Sequence, residues 1–150
     1  SGNSNERLSR LMTAWGIATE GQSNADVLRI KISTIKEAMK FSLKEFTVKP
    51  GQSVEIAFEN PDAMQHNMVI TKPGMLEKVG RAGDAMMKDT KGADKNYVPA
   101  IAEVLFSTPL VNPGQNYTLK FKAPANAGDY PFVCTFPGHW RIMRGVLIVE

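Results

Sequence analysis

Cys134-Thr135-Phe136-Pro137-Gly138-His139-Trp140-Arg141-Ile142-Met143 is the stretch on which the reading of this chain turns. A thiol, an imidazole five residues later and a thioether four beyond that share one short segment. Pro137 holds φ near about −65° and lacks an N–H, while Gly138 can take the positive φ that a tight reversal needs. The segment therefore reads as a loop that brings Cys134 and His139 to one ion. Only one other histidine exists, His66 in Gln65-His66-Asn67, far upstream.

The donor set selects the metal. One thiolate and two imidazoles with a long, weak thioether bond suit copper, because soft sulfur favours Cu(I) while imidazole also accommodates Cu(II). Zinc is more often given three or four strong Cys, His or carboxylate ligands. A thioether adds little for zinc, so Met143 argues for copper. Met64, two residues before His66, is the one rival for the axial place. Taken singly, each residue has an ordinary role: a lone Cys is usually a small buried hydrophobe, and a lone His is usually a hydrogen-bonded core or surface residue. It is their combination on one loop, with a single imidazole left over, that makes the metal reading.

Working outward from the loop, short alternating segments fill the rest of the chain. Val27 to Ile32 alternates apolar with basic residues, and Phe41, Leu43, Phe46 and Val48 precede the turn at Pro50-Gly51. Val54, Ile56 and Phe58 alternate with Glu55 and Glu59 before Asn60-Pro61-Asp62, and a strand is expected from His66 to Thr71. Val98 to Val111 reads as extended chain, Tyr117 to Phe121 alternates, Tyr130 to Cys134 leads into the loop, and Gly145 to Val149 closes the sequence. Turns at this spacing between period-two segments predict an all-β sandwich or barrel of antiparallel strands. Met75 to Asn96 breaks the period; Leu76, Val79, Met86 and Met87 predict a short helix and loop, a flap over one side of the barrel. Met75, Met86 and Met87 are read there as packing residues, since methionine fills irregular gaps.

The first 26 residues form an extension to a domain spanning 27–150. Leu8, Leu11, Met12 and Trp15 recur at helical spacing, so Glu6 to Thr19 is expected to be an amphipathic helix packed on the barrel or left from a linker, with a partner-binding or membrane-surface helix as the alternative. With 150 residues and 43% hydrophobic content, one core-bearing domain is the expected size. The net charge of +3 arises from 18 basic and 15 acidic residues with no long run of one sign, which argues against a nucleic-acid arm. No apolar stretch is long enough to span a bilayer. The N-terminus lacks the plan of a signal peptide. The chain starts at Ser1-Gly2 without methionine, which leaves a cleaved signal, an anchor or a neighbouring domain outside it as an expectation.

The loop motif resembles that of the cupredoxins, the type 1 blue copper proteins, and within them azurin and auracyanin: CTFPGH followed by Met at the ninth position after Cys is similar to the azurin ligand loop. Gln65-His66-Asn67 followed by Met68-Val69-Ile70, Asp94-Lys95-Asn96-Tyr97 after the flap, and Gly145-Val146-Leu147-Ile148 extend the likeness over roughly residues 27 to 150. Two departures stand out. Azurin has a disulfide near its N-terminus, which a chain with one Cys cannot form, and the family has Gly before the first His where this chain has Gln65.

The resemblance implies a Greek-key β-sandwich with His66, Cys134, His139 and Met143 as ligands of one copper, and a weak contact from the backbone carbonyl of Gln65. It implies that Asn67 and Thr135 tie the two ligand segments together and that the Phe136 N–H points at the sulfur. It also implies that His139 is the electron port, in an apolar patch formed by Met64, Pro137, Trp140 and Ile142 with Phe136. Redox partners such as c-type cytochromes or other copper or haem domains would dock there, in a periplasmic or other extracytoplasmic setting, with membrane anchoring outside this chain allowed.

The expected function is one-electron transfer at a single Cu(II)/Cu(I) centre, as a carrier or as a domain of a larger redox protein. A catalytic copper would need further histidines, and one copper consumes both of those present, so an enzyme is not expected. The alternative is a copper carrier or store, against which a closed Cys-His-Met loop in a rigid sandwich argues.

Overall fold

The structure, a computed structural model, describes residues 26–150; the helix expected over Glu6 to Thr19 lies outside the described residues. The chain runs through β1 (Leu28–Ile35), β2 (Lys40–Phe41), β3 (Glu45–Val48), β4 (Ser53–Glu59), β5 (Val69–Thr71), α1 (Leu76–Ala85), β6 (Val104–Ser107), β7 (Asn116–Lys122), β8 (Gly128–Val133) and β9 (Arg144–Val149). Two mixed sheets form, one ordered β2-β1-β4-β7 and the other β3-β9-β8-β5-β6.

Alternation explains the first sheet. Val54, Ile56 and Phe58 of β4 face inward and are buried, and their polar neighbours lie on the outer face. Ile32 of β1 and Leu119 and Phe121 of β7 complete that inner layer. Opposite them, Ile70, Phe132, Leu147 and Val149 supply the inner face of the second sheet. Phe41 sits between the layers, with ring centroids 6.0 Å from Phe58 and 5.2 Å from Phe132. Phe106 stacks on Phe121 at 4.6 Å and closes one edge of the sandwich. Each such side chain removed from water contributes roughly 1.5–3 kcal/mol.

Beside the predicted alternation the structure has parallel seams: β1 pairs parallel with β4, and β3 parallel with β9. Between β1 and β4 the chain crosses to the other sheet as β3, so it re-enters the first sheet in the original direction. A period of two reports which face is buried and is blind to strand direction, so the expected sandwich of antiparallel strands did not include these two seams. The segment Phe41 to Val48 is likewise split into β2 and β3, one in each sheet.

In β5 and at the end of β8 both faces are buried: Val69, Ile70, Phe132 and Val133 are each 0% exposed. The cause is α1, which lies over the outer face of the second sheet. Val79 of that helix joins Val69, Val133 and Trp140 in a second apolar cluster, with Met75 and Leu76 packed against it. The flap is thus a short helix followed by 3-10 turns at Met86–Lys88 and Ala93–Lys95. Met75 and Met86 are half-buried, as packing residues would be, whereas Met87 is 67% exposed and does not fill a gap.

Candidate metal centre

Cys134 leaves β8 at the end of the sandwich, and its N–H donates to the carbonyl of Met143, 3.0 Å away. The loop between them is cross-braced: the His139 N–H donates to the Phe136 carbonyl at 3.0 Å, and the Met143 N–H to the His139 carbonyl at 2.9 Å. Gly138 takes φ 88°, a backbone state that a side chain disfavours. His66 enters from the other segment, where its backbone exchanges two hydrogen bonds with Val111 in an isolated antiparallel bridge. The expected strand from His66 begins properly only at Val69.

Both imidazoles meet the thiol. His66 Nδ1 lies 3.7 Å from Cys134 Sγ, and His139 Nδ1 lies 3.6 Å from it. Among the described residues these three form a group whose ligand atoms all fall within 4.8 Å of one another, and all three are buried. Met143 is 0% exposed and packs in the same core cluster as Cys134. Gln65 is half-buried, and its side-chain amide donates to Asn112 Oδ1 at 2.7 Å.

Two polar contacts lock the ligand segments to each other. The Thr135 N–H donates to Asn67 Oδ1 at 2.8 Å, and the Asn67 amide donates to Thr135 Oγ1 at 2.9 Å. The end of the flap completes this knot: the Asn67 amide also reaches the Asn96 carbonyl at 2.9 Å, and the Thr135 hydroxyl donates to the Tyr97 carbonyl at 2.7 Å. Asn96 and Tyr97 reach these positions with φ 60° and 50°, a left-handed pair that costs backbone energy and persists because its carbonyls are used.

Two aspartates that the sequence reading passed over support the site. Asp62, 3% exposed, places Oδ2 2.8 Å from His66 Nε2, while its Oδ1 accepts the N–H groups of Ala63 at 2.8 Å and Glu37 at 3.1 Å. Asp84, on α1, accepts the Gly138 N–H at 2.8 Å and the Trp140 indole N–H at 2.8 Å. Asp62 lies in a turn signal, Asn60-Pro61-Asp62, and its place four residues before His66 was the available clue. Asp84 meets the loop across 56 positions, and nothing local announces it.

Electrostatics prepare the donors unequally. The hydrogen bond to His66, with the N–H of Glu37 next, holds the Asp62 carboxyl below the usual carboxylate range against the effect of burial. Burial pushes the Cys134 thiol up to about 11, although the N–H groups of Asn67 and Phe136 pull the other way. Burial also takes His139 down to about 4, so its imidazole is neutral near pH 7 and its nitrogens can serve a metal. The thiol keeps its proton until a cation displaces it, and a bound metal does this outright. A neutral imidazole, a second imidazole and a displaceable thiol proton in a dry pocket fit copper.

The apolar patch expected around His139 is only partly present. Met64 and Ile142 are 41% and 57% exposed, whereas Pro137 and Trp140 are buried. Trp140 lies under α1, where Gly80 leaves room for the ring: a Cβ at Gly80 would stand 2.3 Å from Trp140 Cδ2. The outer surface at this end is therefore set by Met64, Gly138, Arg141 and Ile142, with Phe136 half-buried.

Two mixed sheets with a His-Cys-His cluster at one end define a cupredoxin with a type 1 copper site. Residues 28–150 match the family described as copper binding proteins, plastocyanin/azurin family, and the chain belongs to it. Auracyanin-A of Chloroflexus aurantiacus is 36% identical over 130 residues, covering 85% of this chain and 78% of the relative. Azurin iso-2 of Methylomonas sp. strain J is 32% identical over 127 residues, covering 78% of this chain and 94% of the relative. The solved structure of auracyanin A, described as a blue copper protein of a green thermophilic photosynthetic bacterium, superposes with a TM-score of 0.74 at 36% identity, covering 83% of this chain and 99% of that one. Reduced auracyanin from Roseiflexus castenholzii gives a TM-score of 0.72 at 34% identity, over 81% and 96% of the two chains. Copper is the cofactor of this family and of this chain.

Proposed function

We propose that this chain is a one-electron carrier, free or as a domain of a larger redox protein, working through a single copper. His66 Nδ1, Cys134 Sγ and His139 Nδ1 would hold it strongly, and the Met143 thioether and the Gln65 carbonyl would add weaker contacts. The observation that carries this reading is the convergence of both imidazoles on the only thiol, at 3.7 and 3.6 Å, across 68 positions of sequence for His66. When bound, copper supplies the one-electron couple between Cu(II) and Cu(I).

The protein's part is to keep the ligands still, since transfer is fast when little rearranges. Thr135 and Asn67 hold the two ligand segments in register, the Phe136 and Asn67 N–H groups steady the sulfur, and Asp84 fixes the loop from outside. His139, 3% exposed, lies just beneath the surface of this end, and a partner resting on Met64 and Ile142 comes close to its ring. Beside Ile142 an open groove of about 520 Å³ is rimmed by Lys40, Lys44 and Arg144. Small apolar contact with a charged rim suits brief encounters that release quickly. The partners are accordingly redox proteins with an apolar contact spot and acidic neighbours, in an extracytoplasmic setting like that of azurins and auracyanins. Among the described residues no helix is long and apolar enough to cross a membrane.

Adding Cu(II) to the metal-free protein tests this. An intense blue absorption from sulfur-to-copper charge transfer, bleached by ascorbate and absent in Cys134→Ser, is the expected result. A colourless Cu(II) adduct of the unaltered chain would remove the carrier reading.

A further inference from the structure

Among the groups outside the ligands themselves, Asp62 is the buried ionised side chain closest to the chemistry. Its two oxygens are divided between two tasks. Oδ1 is spent on the backbone N–H groups of Ala63 and Glu37, which fixes the carboxylate in the turn. Oδ2 is left for His66 Nε2 at 2.8 Å, with the imidazole 0% exposed. The turn is itself braced: Asn60 Oδ1 accepts the Asp62 N–H at 3.1 Å and the Thr34 hydroxyl at 2.9 Å, and the Asn60 amide donates to the carbonyls of Met64 and Val111. Asp62 is thus not a surface charge that happens to face a histidine. It is held from three sides with one oxygen aimed at a ring nitrogen.

We infer that Asp62 is a positioning residue for copper: it keeps the proton of neutral His66 on Nε2, leaves Nδ1 free to face Cys134, and makes the imidazole a stronger donor that favours Cu(II) over Cu(I). The inference rests on His66 being a copper ligand. A ring nitrogen that donates to a carboxylate fixes the tautomer and raises the basicity of the other nitrogen, and loss of such a partner typically costs 10–100-fold in metal affinity. The added electron density and the nearby negative charge act more on the doubly charged ion than on the singly charged one. Hence Asp62 lowers the reduction potential.

Three measurements test this on the full chain. In the copper-loaded protein, Asp62→Asn keeps the shape and an acceptor oxygen but removes the charge; Cu(II) affinity is expected to fall about tenfold relative to Cu(I), which raises the potential by about 59 mV for one electron. Thr34→Val loosens the same turn without changing charge, and it should lower the thermal midpoint while leaving the potential in place. In the unaltered copper-free protein at mildly alkaline pH, nitrogen-15 NMR should find the His66 proton on Nε2, a measurement that does not need the variant to fold. A proton on Nδ1, an unmoved potential in Asp62→Asn, or an equal shift in Thr34→Val would each overturn the inference. A blue protein with any of these results leaves the carrier reading intact, whereas an unaltered protein that is not blue with Cu(II) fails at the earlier step.

Discussion

The indole N–H of Trp140 donates to Asp84 Oδ2 across 2.8 Å, linking the ligand loop to the helix that covers it. The same carboxylate accepts the Gly138 N–H at 2.8 Å, so one side chain holds both the turn of the loop and the residue after His139. Burial acts to raise the Asp84 carboxyl, but the Gly138 N–H, the indole and Arg141 outweigh it and keep it ionised. Asp84→Ala is expected to destabilise the copper-free protein by roughly 2 kcal/mol, the scale of hydrogen bonds to a charged group. Urea denaturation measures this. The blue band should survive, because no ligand is lost.

Packing beneath the helix offers a second test. A methyl group at Gly80 would overlap the Trp140 ring, and one at Gly83 would lie 2.8 Å from the Thr135 carbonyl oxygen. Gly80→Ala should cost about 1–3 kcal/mol through overpacking, and the tryptophan fluorescence should change as the ring is displaced. A neutral substitution would mean that the helix does not rest on the loop.

The two shifted donors give the copper-free protein a stability plateau. His139 has its folded value depressed from 6.5 to about 4, so its contribution is present above pH 6.5 and is lost as pH falls through 4. Cys134 has its folded value raised from 9.0 to about 11, so its contribution is present below pH 9 and is lost as pH rises through 11. Urea midpoints across pH should therefore be highest between these windows. At neutral pH copper binding should release the Cys134 proton, which a weakly buffered titration detects.

Met143→Leu should keep the copper and raise the potential, since losing a weak sulfur donor favours Cu(I). The site is fully buried and the exchange conserves volume, so the fold should lose less than about 1.5 kcal/mol. Loss of copper on this change would show that Met143 is a main ligand.

Ile142→Asp addresses docking. Ile142 is 57% exposed beside the groove of Lys40, Lys44 and Arg144, and an added carboxylate there opposes an acidic partner and removes apolar contact. Colour and potential should stay within error, while the bimolecular rate of electron exchange with a redox partner should fall about tenfold or more and become less dependent on salt.

Much of the site was legible because its chemistry is local. Cys134, His139 and Met143 share one loop, Pro137-Gly138 announces the reversal, and His66 is the remaining imidazole. The β-sandwich was legible where one face is wet, as in Val54-Glu55-Ile56-Ala57-Phe58, because burial there alternates. Strand direction was not, since β1 and β4 look alike whether parallel or antiparallel. Trp140 was expected on the docking surface and is buried, because the space it fills is made by Gly80, whose significance is an absent side chain and emerges only after α1 is folded over the sheet. Asp62 and Asp84 were missed for a related reason: both look like turn or surface residues until a distant partner arrives.

The separation of His66 from Cys134 has a mechanical consequence. With no second thiol in the chain, a metal held by both residues is a clasp that spans 68 positions and pins the second quarter of the protein to its end. Whatever binds only the native form adds its own free energy to it. Loaded protein should therefore resist proteases far longer than the same protein stripped by a chelator, so that the copper doubles as a rivet.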